Sequence, residues 1–200
     1  MPFTETKNKV ALIGGSFDPV HLGHLALFNS AEKHIGIEEL VVIPALISNF
    51  KQDRMPASFE DRANMLALAF DDYKSIYPES GLILTLSRLE GERGGVSYTS
   101  ETIRALYDQV NDGGKVNFII GDDLVQSLSR WHDFAYLKDH VRFYCFRRDM
   151  QKRPEIDAEI HYIESDVYRA SSTEVRYGEK ELLSRRVREY IDEHHLYRAI

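Results

Sequence analysis

The chain has 200 residues, 43% of them hydrophobic and 28% charged, a composition that predicts one globular domain over residues 1–200 with a substantial core. No apolar run approaches the roughly 20 residues of a membrane-spanning helix, so we expect no membrane span. The formal net charge is −7, which argues against a nucleic-acid partner, because proteins that follow a nucleic-acid backbone usually carry a basic excess.

Cysteine usage and the first residues favour a cytoplasmic protein. The start of the chain, MPFTETKNKV, lacks an apolar signal region. The only cysteine, Cys145, excludes an internal disulfide and a cysteine-based zinc cluster, and a reducing compartment fits both observations. Cys145 lies in VRFYCF, a run typical of a buried strand, so we interpret it as a core residue.

Short apolar runs alternate with longer amphipathic segments along the chain. β-branched runs closed by turn residues predict strands, and apolar residues three or four positions apart predict helices. In chain order these patterns predict a strand at 9–14, a helix from about His21, a strand at 40–44, a helix at 59–70, a strand at 82–86, a helix at 97–110 capped near Ser97, strands at 116–121, 142–146 and 159–163, and a C-terminal helix with Leu183, Val187, Tyr190 and Ile191 at core spacing.

Strands that alternate with helices predict an α/β fold, namely a single Rossmann-like, doubly wound domain with a mostly parallel sheet flanked by helices. Ligands of such sheets bind beyond the carboxyl ends of the strands, near the point where the strand order reverses. The first predicted strand ends at Gly14 and the fourth at Gly121. The loops after these two glycines are therefore the predicted site.

The stretch IGGSFDPVHLGH, residues 13–24, has the features of an anion site. Its paired glycines let the backbone approach a ligand closely, and Asp18-Pro19 fixes a turn. The helix that follows presents free N–H groups and partial positive charge at its start. His21 and His24 lie on one face of its first turn and can donate hydrogen bonds to phosphate oxygens.

Other interpretations of this stretch are open from the residues alone. Paired glycines are common in turns after strands, and a single histidine is more often a surface or core residue than a ligand. The pair at this spacing favours a phosphate site. A zinc site is disfavoured, because two histidines need a third ligand and none is evident nearby.

Two motifs carry a family resemblance. GGSFDPVHLGH resembles the GxFDPxHxGH signature of the nucleotidyltransferase superfamily, and ASSTEVR (170–176) is similar to its ISSTxIR motif, with Ala170 at the usual isoleucine. The hydroxyls of ASSTEVR and the forked side chain of Arg176 suit phosphate oxygens. Taken alone, ASSTEVR would be an ordinary helix cap followed by a solvated arginine.

Further segments resemble the nicotinate-mononucleotide adenylyltransferases, in order along the chain. They are SYTSETIRAL (97–106), FIIGDDLVQSLSRWHDF (118–134) and VREYIDEHHLY (187–197). The resemblance implies transfer of an adenylyl group from ATP to nicotinate mononucleotide, giving deamido-NAD and pyrophosphate in NAD biosynthesis. It also implies that no covalent intermediate forms, that Mg²⁺ rides on the ATP phosphates, and that no side chain is assigned as a metal ligand.

The resemblance implies roles for single residues as well. The implied catalytic residues are His21, His24 and Arg176. The implied ATP-binding residues are Gly14, Gly15, Ser16, Phe17, Asp18, Gly121, Asp123, Ser171, Ser172 and Thr173. The implied acceptor-binding residues are Lys51, Thr99, Trp131 and His132, with the pyridine ring stacked on Trp131. Without the family context, Trp131 would be interpreted as core, Thr99 as a helix-terminal residue and Lys51 as solvated.

One loop departs from the family's pattern. The family usually shows P-P-H-[KR] after its second strand, whereas this chain reads PALISNFKQ (44–52), with Asn49 and Phe50 in place of the Pro-His pair. Three alternatives stay open: nicotinamide mononucleotide as acceptor, pantetheine phosphate as acceptor, whose family shares the two end motifs, or a catalytically silent nucleotide-binding relative. The departed loop leaves room for a shifted acceptor and keeps the silent relative open. Arg62, in RANM, is expected to be structural. The sequence predicts no oligomeric state.

Overall fold

The computed structural model describes residues 9–48, 57–110, 114–147, 155–164 and 170–197. Within these ranges the strands are Val10–Gly15 (β1), Glu39–Pro44 (β2), Ile47–Ser48 (β3), Ile83–Leu86 (β4), Val96–Ser97 (β5), Val116–Gly121 (β6), Val141–Arg147 (β7) and Ile160–Glu164 (β8). The α-helices are Leu22–Ile35 (α1), Phe59–Ile76 (α2), Leu89–Arg93 (α3), Thr99–Val110 (α4), Asp122–Val125 (α5), Phe134–His140 (α6), Ser172–Arg176 (α7) and Arg185–Glu193 (α8), with 3₁₀ turns at Leu128–Arg130 and Lys180–Leu182.

A six-stranded sheet with the order β4-β2-β1-β6-β7-β8 forms the centre of the fold. Every neighbouring pair in it is parallel, and Leu12 of β1 pairs with Val41 of β2 on one side and with Phe118 of β6 on the other. The strand order reverses between β1 and β6, which is where ligands bind in sheets of this kind. The predicted α/β, Rossmann-like class is confirmed.

Helices cover both faces of the sheet, because its central strands are apolar on both sides. Successive residues of β1 point to opposite faces: Ala11 and Ile13 join the core under α1, α2 and α8, whereas Val10 and Leu12 join the core under α4 and α6. The buried thiol of Cys145 lies in the second core, as predicted. Burial raises the pKa of this thiol to about 12, so it stays protonated.

Two sequence predictions about element boundaries need correction. The helix predicted at 59–70 continues to Ile76, because Tyr73 adds another buried residue at helical spacing. Ser97, predicted as a helix cap, lies in β5 instead, and its Oγ accepts a hydrogen bond from the backbone N–H of Leu46 at 3.0 Å. β5 pairs in parallel with β3, so Ser97 belongs to a two-stranded sheet before α4 begins.

No helix in the described part of the chain combines the length and apolar character needed to cross a membrane.

Candidate active site

The turn between β1 and α1 opens at the carboxyl edge of the sheet. Gly14 is exposed there, and a Cβ on Gly15 would lie 3.0 Å from the Phe17 ring, so only glycine fits at that position without a shift. Phe17 has a φ of 47°, in the left-handed region, and its ring is buried. The Asp18–Pro19 peptide bond is cis. The turn therefore brings exposed backbone to the predicted phosphate position.

His21 and His24 form a stacked pair at the start of α1. His21 is the N-cap residue, and the two ring centroids lie 3.8 Å apart. The backbone N–H of His21 donates to Nδ1 of His24 at 3.2 Å. Because a backbone N–H can only donate, Nδ1 of His24 is the acceptor and the proton of the neutral ring lies on Nε2. On the neutral ring the N–H group is then Nε2–H, and an N–H group suits a phosphate oxygen.

Gly23, between the two histidines, permits close packing on two sides. A Cβ at this position would lie 3.0 Å from Nδ1 of His21 and 3.1 Å from Cβ of Ala170. Both contacts are tighter than a side chain tolerates without movement of its neighbours. The glycine of HLGH thus lets the segment that carries the second motif pack against the first.

The second motif is joined to the first by hydrogen bonds. Ser171 caps α7 in a capping box with Glu174, and Oγ of Ser172 donates to the carbonyl of Pro19 at 2.9 Å. The guanidinium of Arg176 donates to the carbonyl of Asp18, and its Nη2 donates to Oγ1 of Thr173 at 3.0 Å. One side of the β1–α1 turn therefore holds the predicted phosphate ligands of ASSTEVR in place.

Asp18 is buried within this junction, with 7% of its surface exposed. Its Oδ1 accepts hydrogen bonds from the hydroxyl of Tyr197 and from the backbone N–H of Ala57, the latter at 3.1 Å. Nη1 of Arg176 lies 3.9 Å from Oδ2. The carboxylate thus faces protein groups, whereas the neighbouring Ser16 is half-buried at the turn.

The carboxyl end of β6 lies beside that of β1 and carries Gly121 and Asp123. Gly121 is the N-cap of α5, and Oδ1 of Asp123 lies where a side chain on Gly121 would be placed. A larger residue at 121 would therefore displace this carboxylate. Asp123 is exposed, and both residues, which the resemblance implies bind ATP, lie at the strand-order reversal.

Two segments predicted to bind the acceptor are brought together around His132. Oγ of Ser100 and Nδ1 of His132 share a hydrogen bond of 2.9 Å, and the ring of Tyr98 stacks on His132 with centroids 4.4 Å apart. Thr99, the first residue of α4, lies between these two contacts. Tyr98 and Ser100 were not singled out from the sequence, although both belong to its SYTS run.

Trp131 is 8% exposed and packs in the core, with its ring edge against Phe143. Its Nε1 donates to Oγ of Ser127 at 3.3 Å. Most of this indole is therefore core, as expected of Trp131 without the family context. Its stacking on a pyridine ring stays a prediction. Lys51, Asn49 and Phe50 lie outside the described residues.

Residues 12–178 match the model of the Cytidylyltransferase-like family. The probable nicotinate-nucleotide adenylyltransferase of Listeria innocua is 32% identical over 196 residues, which cover 96% of this chain and 98% of that protein. The chain belongs to the nicotinate-nucleotide adenylyltransferase family. The family predicted from the motifs is confirmed.

Two further comparisons bear on this member of the family. The probable nicotinate-nucleotide adenylyltransferase of Treponema pallidum is 36% identical over 137 residues, 68% of this chain, and the match spans 63% of that relative's length. A structure of Plasmodium falciparum nicotinic acid mononucleotide adenylyltransferase complexed with NaAD superposes with a TM-score of 0.73 at 20% identity, over 94% of this chain and 96% of that chain. At this identity the likeness concerns the fold.

Arg62 contacts the turn between β1 and α1 from the core side. The side chain is 2% exposed and donates to the backbone carbonyls of Ser16, Ala45, Leu46 and Ala57. Burial lowers the pKa of its guanidinium, and the nearby carboxylate of Asp18 opposes that shift. These contacts are those of a residue that shapes the site from within the core, in line with the structural role expected from the sequence.

Within the described ranges, no group of three or more histidine, cysteine, aspartate or glutamate side chains could hold a metal ion. The polar side chains of the two motifs instead include hydroxyls, imidazoles and a guanidinium, whose N–H and O–H groups suit phosphate oxygens. This donor set fits a magnesium ion that is carried on the phosphates themselves.

Proposed function

We propose that the chain transfers the adenylyl group of ATP to nicotinate mononucleotide, giving deamido-NAD and pyrophosphate. The observation that carries the proposal is the junction of the two motifs at the carboxyl edge of β1. There a single turn leads into the stacked His21 and His24 and also accepts hydrogen bonds from Ser172 and Arg176. Membership of the nicotinate-nucleotide adenylyltransferase family supports the choice of acceptor.

In this reaction an oxygen of the acceptor's 5′-phosphate attacks the α-phosphorus of ATP in line. The new phosphorus–oxygen bond forms as the bond from the α-phosphorus to the bridging oxygen breaks, and pyrophosphate leaves with the electron pair. No protein nucleophile or base is needed, because the acceptor phosphate is already an anion. Catalysis is then positioning and charge stabilisation.

Each motif has its own part in this mechanism. His21 and His24 would donate hydrogen bonds to the phosphate at which charge develops, and Nε2–H of His24 is the donor whose position the backbone fixes. Ser172, Thr173 and Arg176 would hold the β- and γ-phosphates and the departing pyrophosphate. Gly121 and Asp123 would face the adenylate ribose.

The magnesium ion that accompanies ATP would neutralise phosphate charge while keeping its waters. We assign it no side-chain ligand. The acceptor would meet Thr99, His132 and Trp131, and Lys51 is a further proposed contact. A single domain over residues 1–200 and a cytoplasmic location stay predictions of the sequence.

The test is pyrophosphate release by the full chain with ATP and Mg²⁺, using nicotinate mononucleotide, nicotinamide mononucleotide or pantetheine phosphate as acceptor. We expect turnover to be fastest with the nicotinate form. Turnover with only one of the other acceptors would overturn the assignment of the acceptor. Silence with all three would overturn the enzymatic function and leave a nucleotide-binding relative.

A further inference from the structure

The segment that follows α8, residues 194–197, returns to the turn between β1 and α1. α8 ends at Glu193, with His195 in the left-handed region at a φ of 56° and the N–H of Leu196 donating to the carbonyl of Ile191 at 3.0 Å. This is the arrangement of a Schellman motif, which reverses the chain at a helix end. Leu196 and Tyr197 then pack against the core that α1 and α2 share.

The reversal brings the hydroxyl of Tyr197 to Oδ1 of Asp18, where it donates a hydrogen bond. Burial, followed by the charge of Asp18, raises the pKa of Tyr197, so the hydroxyl keeps its proton and stays a donor. Tyr197 itself has a φ of 54°, a conformation that side-chain-bearing residues keep only when their surroundings hold them there.

Asp18, in the turn between β1 and α1, connects Tyr197 to α2 and to Arg176. Its Oδ1 also accepts from the N–H of Ala57, which immediately precedes the N-cap of α2, and its backbone carbonyl accepts from Arg176. Asp18 is therefore held by Tyr197 and by the residue before α2. Its carbonyl in turn orients the guanidinium of Arg176, which is proposed to bind the triphosphate. A carboxylate with 7% exposure and these partners has little freedom to meet ATP itself.

We infer that Tyr197 is a positioning residue for ATP: through Asp18 it holds the turn before His21 and the guanidinium of Arg176 in the orientation that receives the triphosphate. The inference rests on the proposed function for the identity of the nucleotide. It assigns Asp18, predicted from the sequence as an ATP ligand, an indirect part in the same site. Loss of the Tyr197 hydroxyl should then weaken ATP binding and leave acceptor binding largely unchanged.

The deciding experiment compares Tyr197→Phe with the unaltered chain in calorimetric binding of an ATP analogue that has a methylene group between its α- and β-phosphates. We expect the dissociation constant to rise about tenfold, the scale of one lost hydrogen bond to a charged group. In steady-state kinetics the KM for ATP should rise similarly, while the KM for nicotinate mononucleotide changes less than about twofold.

Tyr190→Phe is the matched control. Tyr190 lies on α8, ahead of the reversal that leads to Tyr197, and its hydroxyl donates to Oδ1 of Asp61 on α2 at 3.0 Å and accepts from Asn64 at 3.2 Å, away from the turn. The control removes an equivalent phenol–carboxylate bond and should lower thermal stability without a change in nucleotide affinity. Equal nucleotide affinities for Tyr197→Phe, the control and the unaltered chain would overturn the inference.

Asp18→Asn separates this inference from a general packing role. If the hydroxyl acts through the carboxylate, the double variant Tyr197→Phe/Asp18→Asn should bind the analogue no more weakly than Asp18→Asn alone. Independent, additive losses would show that Tyr197 acts elsewhere. Because analogue binding needs no acceptor, this result stands apart from the outcome of the pyrophosphate assay.

Discussion

At the scale of single residues, one backbone hydrogen bond determines the tautomer of His24. The N–H of His21 occupies Nδ1, so the ring directs a donor rather than an acceptor from Nε2. A donor suits charge that builds on a phosphate and does not suit a cation. The arrangement therefore favours the phosphate role proposed for His24 over the metal role that the sequence disfavoured.

His24→Ala should lower kcat about 100- to 1000-fold, as loss of one preorganised donor to a developing anion does. Steady-state pyrophosphate release measures the change. His34→Ala is the control, because His34 is exposed on the same helix and contacts Ser30 rather than the site. Near-normal turnover of His24→Ala would remove this residue from the mechanism.

Gly23→Ala should lower kcat about 10- to 100-fold, because the added Cβ pushes His21 and Ala170 apart and misplaces the catalytic groups. Gly81→Ala is the matched control, since its Cβ would lie 3.7 Å from Oε1 of Glu32, an ordinary contact. Turnover and thermal unfolding are measured for both variants. Equal kcat values for the two variants would contradict the packing role of Gly23.

At the scale of elements, the N-terminus of α8 is capped by a carboxylate that belongs to another helix. Its N-cap is Ser184, whose side chain makes no capping hydrogen bond, and Oδ2 of Asp72 on α2 accepts from the N–H of Arg186 at 2.8 Å instead. Asp72 is buried and also lies 3.4 Å from Nε of Arg186. The two helices are thus joined by a cap that crosses between them.

Asp72→Ala should lower the free energy of unfolding by about 1–2 kcal/mol, the range of a lost helix cap. The neighbouring Asp71→Ala should cost less than about 1 kcal/mol, because the ion pair of Asp71 with Arg186 is exposed. Urea unfolding of both variants provides the comparison. Equal losses would show that the cross-helix cap contributes nothing.

The strands were predicted well because each is a short apolar run with a clear end. β6 has the predicted bounds of 116–121, and β1 is shifted by one residue, at both ends, from the predicted 9–14. β3 and β5 escaped prediction, since two-residue strands carry no periodic pattern and their pairing joins distant segments. The contacts of Arg62, Asp18 and Tyr197 escaped for the same reason: they depend on which segments meet in space.

At the scale of the whole molecule, the edge of the sheet away from the site carries a charged cluster around Glu159. Its carboxylate accepts from Arg142 at 2.6 Å and lies 3.1 Å from Nε2 of His161 and 3.4 Å from Nζ of Lys115. The hydrogen bond from Arg142, with that from His161, lowers the pKa of Glu159 from its ordinary 4.5 to about 2. The cluster connects β6, β7 and β8.

A carboxyl group whose pKa is lower in the folded chain than in the unfolded chain stabilises the fold at pH values above its unfolded pKa. This contribution is lost as the pH falls towards the folded pKa. Glu159→Gln should therefore lower the free energy of unfolding by about 0.5–1 kcal/mol at about pH 7 and by less at about pH 3. The loss at neutral pH is small because water screens the charges of a partly exposed cluster. Urea unfolding at both pH values measures the difference. A cost that stays constant over this range would contradict the assigned pKa.

The hydrogen bond between Tyr197 and Asp18 joins residues 179 positions apart in the chain. During synthesis the turn that leads to the histidines is made well before the tyrosine that contacts it. Contacts of such long sequence separation form late, because the entropy of closing the loop must be met first. A nascent chain that stops short of α8 would carry the first motif without the contact that we propose orients it, so full nucleotide affinity should appear only after Tyr197 has been added.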